Sequence, residues 1–109
     1  MMQVLEYITD DGTSPFARWF GRLNAPAALK VRRAIAQLEV GNWANTKGIG
    51  GGVRERVIDF GPGYRVYFGR DGEEVVILLG GGTKKRQQKD IDAAKELWSH
   101  FKARKRRGG

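Results

Sequence analysis

The stretch VRERVIDFGPGYRVYFGRDGEEVVILLGGG, from Val53 to Gly82, decides how this chain folds. Three runs rich in Val, Ile, Tyr and Phe are separated by Gly61-Pro62-Gly63 and by Asp71-Gly72. Apolar runs broken by short Gly-containing turns predict a three-stranded antiparallel meander. The TKKRQQKDI that follows, Thr83 to Ile91, hands the meander to a helix start. Arg54, Arg56, Arg65, Lys84 and Lys85 all belong to the meander or its exit.

In the first run, Arg54 and Arg56 share a parity with Ile58, and Val53 and Val57 share the other with Glu55 and Asp59, so neither face is cleanly apolar. A bulge near Val57 and Ile58 would flip the pattern halfway. The second run alternates cleanly, with Tyr64, Val66 and Phe68 on one face and Arg65 and Tyr67 on the other. An arginine amid apolar strand residues needs either a carboxylate partner or a ligand. Glu55 and Asp59 are available as partners. The third run, EEVVILL, is apolar on both faces and is expected at the sheet centre.

Outward from the meander, residues 2–8 (MQVLEYI) read as a first strand that ends at the turn-forming Asp10-Asp11-Gly12 and must pair downstream. Ser14 and Pro15 supply an N-cap and a first-turn proline for a short helix whose apolar face is Phe16, Trp19, Phe20 and Leu23. Asn24 and Pro26 start a second helix, with Ala28, Val31, Ile35 and Leu38 inward and Lys30, Arg33 and Gln37 outward. Gly41-Asn42 ends it. The following NWANTKGIGGG lacks periodicity and is expected to be a mobile loop. Its lone charge, Lys47, is either a phosphate contact or a solubilising lysine. After the meander, a last helix is expected from about Lys84 to Arg104, with Ile91, Ala94, Leu97 or Trp98, and Phe101 as its buried stripe. Lys84, Lys85 and Arg86 in its first turn oppose the helix dipole, by about 0.3–1 kcal/mol per charge, unless an anion binds there.

Composition narrows the chemistry. The 109 residues, 40% of them apolar, suffice for one domain with a modest core. There is no cysteine and one histidine, His100, which excludes thiolate metal sites and two-histidine nucleases and fits a reducing cytoplasm. No apolar run is long enough to span a membrane, and the N-terminus lacks a basic-then-apolar signal pattern, so a soluble cytoplasmic chain is expected. The net charge of +8 favours nucleic acid over a membrane surface as partner. Much of it lies in the basic tail 102–109, read as a solvated, frayed terminus. No G-x-x-x-x-G-K-[ST] spacing is present, which argues against nucleotide triphosphate hydrolysis.

Should Arg65, Arg56 and Lys84 converge, with Asp90 or Glu55 beside them, the site suits an RNA phosphodiester, whose 2′-hydroxyl is an internal nucleophile. Arginine holds a phosphate in a forked contact, and a lysine crowded by other cations can serve as a base, with Asp90 to orient it.

With these residues in view, residues 2–98 resemble the RelE/ParE toxin superfamily, most closely its HigB-like addiction module killer proteins. DGTSPFARWF, IDFGPGYRVYFG, LLGGGTK and QQKDI occur in the family's order, and GPGYRVYF with GGGTK and QQKDI is the specific part. The resemblance implies an α+β, RelE-like fold: strand, two helices, three-stranded meander, C-terminal helix. It implies a toxin of a type II toxin-antitoxin module that cleaves mRNA on the translating ribosome without metal or cofactor. A HigA-like helix-turn-helix antitoxin is the implied partner. Arg65 carries the family's phosphate and transition-state arginine, Lys84 its basic residue after the last strand, and Arg56 falls near its strand cation. Relatives usually read Glu, apolar, Arg, Ile where this chain has Glu55, Arg56, Val57, Ile58, and Asp90 stands where a tyrosine is often found. Catalytic candidates are therefore Arg65, Lys84, Arg56 and Asp90, and RNA contacts are expected from Lys47, Arg54, Tyr64, Tyr67, Lys85 and Arg86. The competing expectations are a ParE-type gyrase inhibitor that acts by binding and an inactive antitoxin-binding module.

Overall fold

The computed structural model describes residues Met1–Gly108, and Gly109, the last residue of the basic tail, lies outside the described residues. In chain order the elements are β1 (Gln3–Glu6), α1 (Pro15–Phe20), α2 (Ala25–Glu39), β2 (Thr46–Gly50), β3 (Val53–Ile58), β4 (Tyr64–Asp71), β5 (Val75–Thr83), a 3₁₀ turn (Lys84–Arg86) and α3 (Gln87–Gly108). The chain is thus α+β, with a five-stranded sheet of order β1-β5-β4-β3-β2. β1 runs parallel to β5, and the other neighbours are antiparallel.

Local chemistry sets the helix starts. The Ser14 hydroxyl accepts the Ala17 N–H at 3.0 Å, and the Asn24 side-chain oxygen accepts the Ala27 N–H at 3.0 Å. Each satisfies a backbone donor that the first turn leaves open. Proline in each first turn has no N–H to lose. The buried stripe of α2 is Ala27, Val31, Ala34 and Leu38, one residue round from Ala28 and Ile35, which are half-buried.

The sheet separates two apolar layers. On the α1/α2 face, Phe16, Val31, Leu38, Ile58, Val66, Phe68 and Leu78 form one core. On the α3 face, Tyr7, Val53, Tyr67, Ile77, Leu79, Ala94 and Trp98 form the other. β5 therefore needs apolar side chains on both sides, as expected, but the centre of the sheet is β4, because β1 adds beyond β5 and β2 beyond β3.

Three further expectations change. Thr46–Gly50 is an edge strand rather than a loop, with Thr46, Lys47 and Gly48 opposite Arg56, Glu55 and Arg54. Its glycines hide the pattern that side chains would show, while the backbone still pairs. Second, β3 pairs with β4 in unbroken register from Val53↔Gly69 to Ile58↔Tyr64, so no bulge lies at Val57. One irregularity is on β2, between Gly48 and Gly50, and the other is on β5, where Tyr67 faces Gly80 and Phe68 faces Leu78, leaving Leu79 extra. It resets the facing of β5, so that Gly81 lies under Trp19 and Gly82 under Asp90. Third, Lys84–Arg86 form the 3₁₀ turn before α3, and Asp90 occupies the α-helix's first turn. The basic residues thus lie at the positive end of the helix dipole just outside α3, and Asp90 in the first turn offsets part of that unfavourable charge.

The expected frayed tail is also revised. α3 is 22 residues, about 33 Å, and runs to Gly108. The Arg104 guanidinium donates to the Ile8 carbonyl at 3.2 Å and to the Tyr7 hydroxyl and Asp10 at 3.0 Å. Lys105 donates to Asp71 at 2.9 Å. Long-range partners of this kind cannot be read from local composition.

Two tryptophans lie flat on glycines from opposite faces. A Cβ at Gly69 would sit 2.5 Å from the Trp98 ring, and one at Gly81 would sit 2.3 Å from the Trp19 ring. Neither ring can withdraw without opening its core. Gly69→Ala and Gly81→Ala are each expected to destabilise by about 1–3 kcal/mol, read as a shift in urea midpoint. Gly48→Ala, whose Cβ would meet nothing closer than Arg54 at 3.8 Å, is expected to change stability by less than about 0.5 kcal/mol.

Candidate functional site

On the α3 face, four elements converge on one carboxylate. Glu55 on β3 is fully buried. Arg65 on β4 is its diagonal neighbour across the strand pair, since Glu55 faces Tyr67 and Val57 faces Arg65. The Arg65 Nε lies 3.4 Å from Glu55 Oε2. Lys47, directly opposite on β2, brings its Nζ to 3.7 Å from Oε1. Gln87, the first residue of α3, donates its Nε2–H to Oε2 at 3.0 Å.

This cluster is held by charge more than by aligned hydrogen bonds. Arg65 Nε is within ion-pairing distance of Glu55, yet neither Nε nor Nη1 has a hydrogen-bond partner. A buried guanidinium with an unused N–H edge retains capacity for an acceptor. That edge lies beside Gly63, where a Cβ would come within 3.8 Å of Arg65 Nη1 and 3.6 Å of Lys84 Cβ. The Lys84 N–H donates to the Gly63 carbonyl at 2.9 Å. The GPG turn, with Gly61 and Gly63 at φ of 55° and 80°, therefore ties the exit of β5 to the start of β4 and puts Lys84 next to Arg65.

Asp90 completes the group. Its carboxyl is packed over Gly82, and Gly82 is the register partner of Arg65. Partial burial raises its pKa above the ordinary aspartate value, an effect that Arg86 and Lys89 oppose. Tyr67, buried beneath, is pushed well above the ordinary tyrosine value by burial first and by the Glu55 charge second. Its hydroxyl faces Glu55 without a hydrogen bond of ordinary geometry. It therefore keeps its proton and is a poor base.

The sequence-derived candidates divide by face. Arg65, Lys84, Asp90 and Lys47 come together with the exposed Lys85 and Arg86 close by in sequence. Arg56 does not join them. With β3 unbulged, it points to the α2 face, where its guanidinium donates to Gln37 and to the Val57 carbonyl, and its Nε has no partner. Burial there lowers its pKa from the ordinary arginine value. Arg54 shares that face and donates to the Thr46 hydroxyl at 3.0 Å. Tyr64 also lies on that face, against Trp19, and Tyr67 is 1% exposed, so neither tyrosine presents a ring for stacking on RNA. Gln87 was not among the candidates. Its signal is its spacing of three from Asp90, which puts both side chains on one face of a helix.

The arrangement offers a guanidinium edge and lysine ammoniums to an anion, with a carboxyl nearby whose pKa is raised. Among the described residues no helix is long and apolar enough to cross a membrane.

A protein of Haemophilus influenzae, described as uncharacterized, is 42% identical to this chain over 86 residues, which cover 78% of this chain and 87% of that protein. No family model matches the chain.

Truncating Glu55 leaves Arg65 buried against no charge. Glu55→Ala is expected to destabilise by about 3–5 kcal/mol in equilibrium unfolding. Asp90→Asn tests the raised carboxyl. A folded-state pKa above the unfolded value gives a contribution that is whole below about pH 3.8 and lost as pH rises through the folded pKa. The variant and parent are therefore expected to be equally stable in acid, with the variant gaining on the parent towards neutral pH.

Proposed function

The chain belongs to the same family as the Haemophilus influenzae protein, and for it we propose the function of a type II toxin with a RelE-like fold: a metal-independent, ribosome-dependent mRNA endonuclease neutralised by a HigA-like antitoxin. The observation that carries this reading is the open edge of Arg65 beside Lys84 at Gly63, with Asp90 packed over Gly82, the register partner of Arg65. An internal RNA cleavage is helped by cations on the nonbridging oxygens and needs an acceptor for the 2′-hydroxyl proton and a proton for the leaving group.

In this reading the substrate's 2′-oxygen attacks the adjacent phosphorus. The P–O5′ bond breaks, leaving a 2′,3′-cyclic phosphate and a 5′-hydroxyl. Arg65 and Lys84 offset the charge that grows on the phosphoryl oxygens. Asp90, over Gly82 beside Arg65, is the group assigned to give a proton to the departing O5′, and the 2′-hydroxyl proton passes to solvent or to a ribosomal group. Arg56, on the opposite face, has no part in this step. Glu55 sets the direction of Arg65, and Lys47 lies at the rim.

One observation favours a second reading. Glu55 already pairs Arg65 in the interior, as a purely structural arginine would be paired. The chain would then be an inactive module that retains antitoxin binding.

Arg65→Ala would strand Glu55 and confound folding with chemistry, so the exposed Lys84 is the cleaner test. Lys84→Ala is expected to keep the parent's unfolding curve and antitoxin binding while cutting cleavage by roughly 10²–10³-fold. The assay maps mRNA 5′ ends on translating ribosomes and follows growth arrest on induction, beside a gyrase supercoiling assay. Arrest by the parent without new 5′ ends, or equal cleavage by Lys84→Ala, overturns the nuclease reading.

A further inference from the structure

A second concavity lies on the other face of the sheet, at the β2 edge. Its volume is about 500 Å³, and Trp43, Arg54, Arg70 and the side-chain-free Gly48 and Gly50 line it. Trp43 is half-buried and fixed from below, its ring stacked on Phe68 with centroids 5.7 Å apart and planes at 17°. The Arg70 guanidinium covers the ring at 4.8 Å. Arg70 is exposed and makes one long bond, 3.3 Å, to the Glu73 carbonyl. Among the described residues neither Arg54 nor Arg70 has a carboxylate within ion-pairing distance, and Arg54 is anchored at the Thr46 hydroxyl.

Each part of this arrangement suits one ligand class. A half-buried tryptophan stacked on Phe68 and in contact with a planar guanidinium is a platform for a flat π-system, which can stack on the guanidinium or replace it. A second arginine within the same concavity, with no counter-charge, suits a phosphate. Glycines on the β2 wall leave the backbone open to close approach. Every nucleobase has a π-face, so stacking combined with cationic contacts is the way single strands are held. An acidic peptide would use the two arginines but would give no role to the stacked aromatic.

We propose that Trp43, Arg70 and Arg54 form a nucleotide subsite for single-stranded RNA, one base on the Trp43–Arg70 stack and its phosphate on Arg54. The proposal rests on the nuclease reading for its biological substrate and extends it. β2 is an edge strand, with Lys47 turned to the Arg65 face and Gly48 opposite Arg54 on the other. The Arg65 face and the Trp43 platform thus lie on opposite sides of the sheet, Arg65 towards the Tyr64 end of β4 and Arg70 towards its Asp71 end.

The test uses the full chain and two fluorescein-labelled probes: a 12-nucleotide oligoadenylate RNA and an abasic ribose-phosphate strand of the same length. Binding is followed by anisotropy from 50 to 200 mM salt. The parent is expected to bind the oligoadenylate about tenfold more tightly than the abasic strand. Arg54→Gln/Arg70→Gln should weaken the oligoadenylate at least tenfold and reduce the slope of log K against log salt by about 0.7, for the one phosphate contact on Arg54. Trp43→Leu should bring the two probes together, and Arg70→Gln alone serves if that variant does not fold. Unchanged affinity and slope in the double arginine variant, or equal binding of both probes by the parent, overturns the subsite. A parent that fails to cut mRNA on ribosomes but shows the Arg54/Arg70 dependence keeps the subsite and loses the nuclease reading. Lys84-dependent cleavage with no Arg54/Arg70 dependence does the reverse.

Discussion

The structure turns on one buried negative charge. Glu55 has no exposed surface, and a carboxylate in such a place persists only with compensating partners. Those partners are drawn from every element that surrounds it: Arg65 from β4, Lys47 from β2 and Gln87 from α3. The same contact that makes the carboxylate tolerable therefore fixes the register of three strands and the docking of the last helix. Its consequence for function is direction. By taking the Nε side of Arg65, Glu55 leaves Nη1 at the GPG turn beside Lys84. An arginine held on one side is preorganised for an anion on the other.

The apolar layers hold this arrangement at a defined height. Trp98 on Gly69 and Trp19 on Gly81 bring α3 and α1 into ring-to-backbone contact with the sheet from opposite faces. Gly82 does for a carboxyl what these glycines do for indoles, letting Asp90 come down onto the strand. The Leu79 bulge links the two, because it sets which of Gly81 and Gly82 faces which helix. A packing device and a chemical one thus share a single irregularity on β5.

Charge is partitioned by the sheet. The strands display arginines on both faces, but their surroundings differ. Arg65 is buried near a carboxylate, Arg56 is buried against a glutamine and a backbone carbonyl, and Arg54 and Arg70 reach a half-open concavity. The proposed cleavage and the proposed base-stacking subsite occupy opposite faces of the sheet. The net charge of +8 would suit a polyanion such as the proposed RNA. The partition says where it would lie.

The sequence by itself determined the elements whose cause is local. Ser14 and Asn24 announced their helices because a cap acts within three residues. The clean alternation of Tyr64 to Phe68 gave the facing of Arg65, and the candidate pairing with Glu55 was legible from residue type. The tertiary structure alone decided features that depend on pairing between distant segments. A glycine-rich strand carries no side-chain period, so β2 became visible only through its partner β3. The parity conflict on β3 suggested a bulge that is not there, because the strand meets the conflict by burying Arg56 against Gln37 and Glu55 against Arg65, and the bulge on β5 left no sign in the alternation. Arg104 and Lys105 looked like a loose tail because their partners, Asp10 and Asp71, are more than 30 residues away. Which cations share a face is a property of register, and register is settled by contacts made across the whole chain.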